Sequence, residues 1–237
     1  LALVRSLARG GQVEGATVSD FVDVLLGRLE ALGAKTELVP GDPKPDWLPG
    51  GAGTSIPPTA ICRRPGDTTR TVLLTAHLDT VHAPTSPFRE LSIAPDGATA
   101  TGPGCVDMKG GLVIAMAALE TLHEIGVPVS WGFLLNSDEE TGSFHSAKAI
   151  ADESARYDLG LALEPAMAGG ELAVERSGSG QFMIECRGRA AHVGRSFTEG
   201  VSAVTALGER ITAVSAMPEP EKGRILSIGP LEGGVAT

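Results

Sequence analysis

Hydrophobic and polar positions along the chain follow first a helical and then a strand spacing. Residues 17–33 are predicted to form a helix that ends at a glycine, because their large apolar side chains recur three or four positions apart. These side chains are Phe21, Leu25, Leu29 and Leu32. The next residues, Lys35 to Val39, are strand-like, and residues 40–58 are rich in glycine and proline, which is typical of a loop.

Three short apolar runs each lead into polar residues. The runs are TVLLTA (71–76), VSWGFLL (129–135) and LGLAL (159–163). Continuous apolar runs of this length are typical of strands buried on both faces, as in a parallel sheet. Helical spacing lies between them, at residues 108–125 and at about 141–154. Alternating strands and helices predict an α/β fold, in which functional groups gather at the carboxyl ends of the strands.

A different pattern begins near residue 176. Residues Gln181 to Arg187 alternate between apolar and polar side chains, which predicts a half-exposed strand. Residues 201–216 have one apolar helical face, and residues 224–229 are again strand-like. We therefore expect a second, smaller α+β domain over residues 176–237, after a first domain over residues 1–175.

Composition narrows the class of protein. Hydrophobic residues make up 42% of the 237 residues, enough for a sizeable core. No run of about 18 apolar residues exists, so no membrane partner is expected. The net charge is −10 and only 4% of the residues are aromatic, so no nucleic-acid partner is expected either. An acidic chain can bind cations instead.

Cysteine usage indicates the compartment. Cys62, Cys105 and Cys186 are sparse and include no CxxC pair, so no disulfide framework is predicted. The simplest interpretation is a reducing compartment, and we expect the protein in the cytoplasm. The first residues, Leu1 to Arg5, are too short for a signal peptide and are interpreted as part of an amphipathic helix.

The first apolar run ends in a histidine and an aspartate. His77 and Asp79 stand two positions apart at the end of the predicted strand, so their side chains leave it on the same side. A histidine that binds a metal usually needs a neighbouring carboxylate to fix its tautomer, and Asp79 could provide it. The alternative is a surface His–Asp pair. Delivery of both residues to one point by a buried strand favours the metal site.

A second acidic position stands in a glycine-rich segment. Asp107 follows Gly102-Pro103-Gly104 and opens the helical pattern of residues 108–125. An aspartate that caps a helix after a turn is common, so this segment alone is weak evidence for a metal ligand.

More acids follow the other two apolar runs. Asp138, Glu139 and Glu140 are consecutive after the second run, and Glu164 follows the third. Three acids alone would most often form a solvated turn. Together with Asp107, they would repel one another in one crevice unless cations neutralised them. Mixed nitrogen and oxygen ligands are typical of zinc, with cobalt or manganese as alternatives.

Other motifs and residues are weaker candidates. The sequence contains no HExxH zinc motif, no GxSxG nucleophile motif and no GxxxxGK[ST] phosphate loop. The remaining polar candidates are interpreted as structural or surface residues rather than ligands or nucleophiles. They are His82, Cys105, His123 and His145.

Four segments, in this order, resemble the M20 metallopeptidases. They are HLDTVH (77–82), GPGCVDMKGG (102–111), NSDEETGS (136–143) and LEPA (163–166). The third and fourth are most similar to the carboxypeptidase G2 branch of a family that also includes acetylornithine deacetylases, succinyl-diaminopimelate desuccinylases and aminoacylases. The resemblance implies an α/β, mostly parallel-sheet di-zinc exopeptidase-like catalytic domain with an inserted ferredoxin-like lid or dimerisation domain.

The resemblance also implies a role for each site residue. His77 and Glu164 would bind one zinc, Glu140 would bind the other, and Asp107 would bridge the two. Asp79 would orient His77. Glu139 would act as general base, a distinction from Glu140 that spacing alone does not make. A cis peptide is expected between Asp107 and Met108.

The lid segment adds a substrate-binding candidate. GRAAHVGRSFTEGVSA (188–203) resembles the family's lid, and His192 corresponds to the lid histidine that reaches a substrate, typically across a dimer. The segment RSFTEG (195–200) lacks the proline that is common there. The family continues beyond the residues at 233–237 with the rest of the lid and a return to the catalytic domain that brings the last zinc-ligand histidine. We therefore expect this chain to be a truncated family member.

Two functions are compatible with these observations. The first is a metal-dependent hydrolase that cleaves an amide or peptide bond next to a free carboxylate, acting on small peptides or N-acyl amino acids, with a homodimer through the lid. The second is an inactive fragment or pseudo-enzyme that acts through association, because the last histidine ligand is absent. The intact base and ligand set of residues 77–164 favours the first, and a downstream histidine in the parent reading frame would separate them.

Overall fold

A computed structural model describes residues 18–43, 45, 56–83 and 85–234. The amphipathic helix expected at Leu1 to Arg5 and much of the expected loop over residues 40–58 lie outside the described residues. The chain divides into two compact units, Leu1–Leu172 and Ala173–Thr237. The assignment of a catalytic domain to residues 1–175 and of a lid domain to residues 176–237 stays a prediction.

The first unit consists of helices and strands in alternation. In chain order its main elements are helix α1 (Val18–Ala31), strands β1 (Lys35–Val39), β2 (Thr59–Arg64), β3 (Thr71–His77), β4 (Ser92–Ile93) and β5 (Ala100–Thr101), helix α2 (Gly110–Glu124), strand β6 (Ser130–Asn136), helix α3 (Ala147–Ser154) and strand β7 (Leu159–Ala162). A π-helical turn, Cys105–Lys109, precedes α2, and a 3-10 turn, Glu139–Thr141, follows β6.

Five strands form one mixed sheet in the order β1-β2-β6-β3-β7, which confirms the α/β fold. Strand β3 pairs in parallel with β6 and with β7, whereas β1, β2 and β6 pair antiparallel. His77 is level with Asn136, and Thr75 is level with Ala162. The carboxyl ends of the three parallel strands therefore meet at one edge of the sheet.

Burial follows position in the sheet. All seven residues of the central strand β6 are buried, as its continuous apolar run predicts. The same prediction is wrong for β7, where Leu159 is 53% and Leu161 43% exposed. In the part of the chain that the structure describes, strand β7 is the last strand in the order and pairs with β3. Within the described residues it lacks the second neighbour that covers β6.

Helices α1 and α2 pack their apolar faces against the sheet in the main core. Leu25 and Leu29 of α1 and Leu112 and Met116 of α2 have no exposed surface. Full burial of one such side chain contributes about 1.5–3 kcal/mol to folding. The predicted helix over residues 17–33 is confirmed, and its buried positions are those with helical spacing. The side chain of Phe21 lies outside the described residues.

Gly111 sets the distance between α2 and β7. A Cβ atom on Gly111 would lie 1.9 Å from the carbonyl oxygen of Leu163, closer than any real contact. Only glycine therefore allows the first turn of α2 to approach the residue before Glu164. This contact brings the segments of Asp107 and Glu164 together.

The second unit contains helix α4 (Ala203–Ser215) and two 3-10 turns, Phe197–Glu199 and Pro220–Lys222. The helix predicted over residues 201–216 is confirmed, with Ser202 as its N-cap. The strands predicted at Gln181 to Arg187 and at residues 224–229 are wrong. Alternation supplies an apolar face, but a strand also needs a paired neighbour. The pairings in this unit's described residues are two isolated bridges, Arg189 with Val201 and Glu219 with Arg224.

Across the part of the chain that the structure describes, no helix is both long and apolar enough to span a bilayer.

Candidate metal centre

The sheet edge brings a histidine and several carboxylates into one place. Strand β3 ends at His77, Asp138 stands two residues after the end of β6, and Glu164 stands two residues after the end of β7. Asp107 reaches the same edge from the π-helical turn before α2. The expected convergence of His77, Asp107 and Glu164 is confirmed by the distances that follow.

His77 is the centre of this group. The residue is 1% exposed, and its Nε2 atom lies 3.0 Å from Asp107 Oδ1 and 3.8 Å from Glu164 Oε1. Its other ring nitrogen, Nδ1, lies 3.3 Å from Asp79 Oδ1 and 3.1 Å from the carbonyl oxygen of Asp79. Asp79 thus holds the ring from one side, while Nε2 faces the acids that could share a cation with it.

The acids around His77 stabilise its protonated form. Burial lowers the pKa of the imidazole, but hydrogen bonds to Asp79 and Asp107 and the charge of Glu164 outweigh burial and raise the pKa to about 9. The ring therefore lies in a negative field, and a metal ion that binds Nε2 would displace a proton from it.

Asp79 connects the histidine to the acidic turn. Its carboxylate accepts the backbone N–H of Glu139 at 3.3 Å and that of Glu140 at 3.0 Å. Burial would raise the pKa of Asp79, but the hydrogen bonds from His77 and from the Glu140 amide outweigh it, so the pKa lies below its usual value. Asp79 remains ionised and positions both neighbours.

The pKa values of Glu140 and Glu164 are shifted in the opposite direction, above their usual range. Burial raises the pKa of both carboxyl groups, and the charge of Asp107 raises it further. Like charges in this volume repel one another, as the sequence predicted for acids gathered without a cation. A bound divalent cation would relieve this repulsion.

Two sets of donor atoms have the composition of a metal site. His77, Asp107 and Glu140 form one set, and His77, Glu139 and Glu164 form the other, with the ligand atoms of each set within 4.8 Å of one another. Imidazole nitrogen with carboxylate oxygens is a donor set that fits zinc. Both glutamates of the turn belong to a set, so geometry alone does not separate a base from a ligand.

The backbone at Asp107 departs from the predicted helix. The peptide bond between Asp107 and Met108 is cis, which confirms the expectation drawn from the family resemblance. Residues 105–109 form the π-helical turn with non-helical dihedral angles at Asp107 and Met108, so the regular helix begins at Gly110 and not at 108. The turn directs the Asp107 carboxylate towards His77.

Lys109 is a buried cation that sequence reasoning missed. The residue is 4% exposed. Burial lowers its pKa more than the neighbouring charges of Asp79, Glu140 and Asp107 raise it. A lysine directly after a candidate ligand could have suggested this countercharge, but lysines seldom lie buried.

Asp138 is the other missed residue. It is buried, whereas the sequence interpretation placed it in an acidic turn and assigned roles only to Glu139 and Glu140. Its position two residues after a fully buried strand was the available signal.

His192 lies in the second unit. Its Nδ1 atom accepts the backbone N–H of Gly194 at 3.1 Å, and its side chain is exposed. Its role in substrate binding stays a prediction.

A histidine and carboxylates at the strand ends of an α/β sheet define a candidate metal-binding α/β protein, because functional groups of this fold class gather at the carboxyl ends of the strands. The family described as peptidase family M20/M25/M40 matches residues 73–221, and the chain belongs to this family. Members of a metallopeptidase family bind metal ions, in agreement with the donor sets above.

Individual relatives agree with this assignment. The chain is 34% identical over 161 residues to carboxypeptidase G2 of Pseudomonas sp. (strain RS-16), an alignment covering 65% of this chain and 37% of the relative. It is 32% identical over 100 residues to succinyl-diaminopimelate desuccinylase of Maricaulis maris, covering 39% and 26%. These alignments span less than half the length of either relative.

Solved structures show the same fold. An M20 family metallo-carboxypeptidase of Sulfolobus solfataricus superposes with a TM-score of 0.51 at 21% identity, covering 71% of this chain and 38% of that one. A tripeptidase of Staphylococcus aureus superposes with a TM-score of 0.53 at 19% identity, covering 89% and 54%.

Proposed function

We propose that the protein is a zinc-dependent hydrolase that cleaves an amide or peptide bond next to a free carboxylate. The observation on which the proposal rests is the buried His77, whose Nε2 faces both Asp107 and Glu164. Two relatives, named a carboxypeptidase and a desuccinylase, support cleavage beside a carboxylate. The substrates would be small peptides or N-acyl amino acids.

The ligands would divide between two zinc ions. His77, Asp107 and Glu164 would hold one, and Asp107 and Glu140 would contribute to the other, with cobalt or manganese as alternatives. When bound, zinc supplies Lewis-acid polarisation of a carbonyl and lowers the pKa of water. Asp79 keeps the His77 ring oriented with Nε2 towards the acids.

Glu139 would act as the general base. It would accept a proton from the water that attacks the substrate carbonyl, and then donate that proton to the leaving amine. Its backbone is fixed by the hydrogen bond to Asp79, so its side chain starts from a defined place beside His77 and Glu164.

The second unit would contribute to the whole protein. His192 would contact the substrate, and the exposed apolar side chains of Phe182 and Ile184, together with α4, would pair two copies into a homodimer. The free thiols of Cys62, Cys105 and Cys186 agree with a reducing, cytoplasmic location.

Two variants of the acidic turn, measured side by side in the full-length protein, test the proposal. Glu139→Gln keeps size and hydrogen bonding but cannot accept a proton, so zinc content should stay near wild type while turnover falls by about 10²–10⁴. Glu140→Gln should lose zinc together with activity.

The readouts are bound zinc by mass spectrometry and hydrolysis of an N-acyl glutamate. Zinc loss only in Glu139→Gln would mean that the two roles are exchanged. Full activity in both variants would overturn the mechanism, and would leave a solvated acidic turn as the explanation of these residues.

A further inference from the structure

Asp138 is buried directly before the acidic turn, although the proposed reaction gives it no role. The residue is 2% exposed and is the N-cap position of the turn Glu139–Thr141. Removing a carboxylate from water costs several kcal/mol unless hydrogen bonds compensate. The hydrogen-bond partners of Asp138 therefore indicate the structural role of this buried carboxylate.

The carboxylate binds the far end of the loop that follows the turn. Oδ2 accepts the backbone N–H of His145 at 2.8 Å and that of Ser146 at 3.2 Å. Oδ1 accepts the side-chain amide of Asn136 at 3.3 Å, and that amide also donates to Ser146 Oγ at 3.0 Å. The strand end and the start of α3 are thus joined through one carboxylate.

The backbone of Asp138 closes the turn itself. Its carbonyl oxygen accepts the N–H of Ser143 at 2.8 Å, the N–H of Thr141 at 3.3 Å and the hydroxyl of Thr141 at 3.2 Å. Side chain and backbone together fix both ends of the segment that contains Glu139 and Glu140.

The position of this turn also determines the contacts of Asp79. The amides of Glu139 and Glu140 point at the Asp79 carboxylate, and that carboxylate lies 3.3 Å from His77 Nδ1. A continuous series of hydrogen bonds therefore runs from Asp138 through the turn and Asp79 to the histidine.

We propose that Asp138 is a positioning residue that holds the amides of Glu139 and Glu140 on Asp79 and thereby sets the orientation of His77. Where it concerns zinc, this inference rests on the proposed function. The alignment of the two amides does not depend on that function and can be measured without metal.

Amide hydrogen exchange in the metal-free complete protein tests the alignment directly. Asp138→Ala should accelerate exchange at the Glu139 and Glu140 amides at least about tenfold. Exchange at such sites is governed by local opening, and the turn should open more often without the hydrogen bonds of the Asp138 carboxylate. Asp138→Asn keeps the shape and one acceptor oxygen, so it should restore part of the protection.

The matched control is Glu153→Ala. Glu153 is also a buried, hydrogen-bonded carboxylate, but its partners are Arg63, Tyr157 and Arg156 and not the acidic turn. It should lower stability while leaving the two amides within about twofold of wild type. A merely structural role for Asp138 would make both alanine variants alike at these amides.

Zinc affinity provides the second readout. Loss of a group that orients ligands typically lowers metal affinity by about 10–100-fold, which we expect for Asp138→Ala and not for Glu153→Ala. A folded Asp138→Ala protein with wild-type exchange at both amides would overturn the inference. Should that variant fail to fold, wild-type exchange in Asp138→Asn would overturn it equally. A wild-type protein that binds no zinc would overturn the proposed function, whereas the exchange data would still decide the role of Asp138.

Discussion

The contact between Glu153 and Arg63 allows a quantitative prediction of stability. The Glu153 side chain is 2% exposed and accepts the Arg63 guanidinium through two hydrogen bonds of 2.7 Å, Nε to Oε1 and Nη2 to Oε2. Tyr157 donates its hydroxyl to Oε1 at 2.9 Å. Glu153→Ala removes three hydrogen bonds and the ion pair with Arg156 at 3.5 Å, and it leaves Nε and Nη2 of Arg63 and the Tyr157 hydroxyl without this acceptor.

Breaking one partner of a buried ion pair costs about 3–5 kcal/mol. Arg63 keeps an interaction with Glu37, at 2.5 Å from Nη1 to Oε2, so part of its charge remains compensated. We therefore expect Glu153→Ala to lower the free energy of unfolding by about 3 kcal/mol, the low end of this range. With a urea m-value of about 2 kcal/mol/M, the midpoint of unfolding should fall by about 1.5 M.

Asp152→Ala is the control on the same helix. Asp152 forms an exposed ion pair with Lys148, and such pairs contribute about 0.3–0.5 kcal/mol. A midpoint shift for Glu153→Ala no larger than that for Asp152→Ala would refute the reasoning.

The stability difference between wild type and Glu153→Ala should also depend on pH. Burial would raise the pKa of Glu153, but hydrogen bonds from Arg63 and Tyr157 and the charge of Arg156 outweigh it, so the folded-state pKa lies below the usual 4.5. Its stabilising contribution is therefore present above pH 4.5 and is lost as the pH falls through the folded-state pKa. The stability difference between wild type and Glu153→Ala should be largest at neutral pH and shrink in acid. A difference that grows in acid would contradict the assigned shift.

Four further predictions concern the site and the assembly. Gly111→Ala should cost about 1–3 kcal/mol in urea unfolding and weaken zinc binding, whereas Gly27→Ala, with open space among the described residues, should not destabilise. Asp79→Asn should lower zinc affinity by about 10–100-fold in competition with a chromogenic chelator; unchanged affinity would exclude its orienting role. Zinc at about 100 times its dissociation constant should stabilise the metal-free protein by about 2.7 kcal/mol, and EDTA should reverse the rise in melting temperature. Sedimentation at micromolar concentration should give twice the mass of one chain, and a single-chain mass would exclude the lid dimer.

Local pattern was sufficient to predict the elements that position the site. The apolar runs before His77 and Glu164 predicted the strands, and parallel pairing then brought their ends together. Pattern was insufficient where pairing or burial depends on distant parts of the chain. Strand β2 was missed because its apolar run is short and ends in two arginines, and β7 is exposed because it is the last strand of the order.

The same distinction between local pattern and distant contacts holds for the site residues. Motif order suggested His77, Asp107, Glu140 and Glu164, and in the structure each of the three acids shares a donor set with His77. In the sequence, Asp138 differed from its acidic neighbours only in standing closest to the buried strand. Its burial follows from hydrogen bonds to His145 and Ser146, which exist only once α3 has packed behind the turn.

The parallel arrangement of β3, β6 and β7 has a consequence for the time course of folding. Parallel neighbours require long crossover connections, so their contacts join distant segments and form slowly. Because His77 is the last residue of β3 and Glu164 follows β7, no local segment can assemble both on its own. Tight zinc capture during refolding should therefore lag behind helix formation and coincide with completion of the sheet, which makes a fluorescent zinc indicator a reporter of the last folding step.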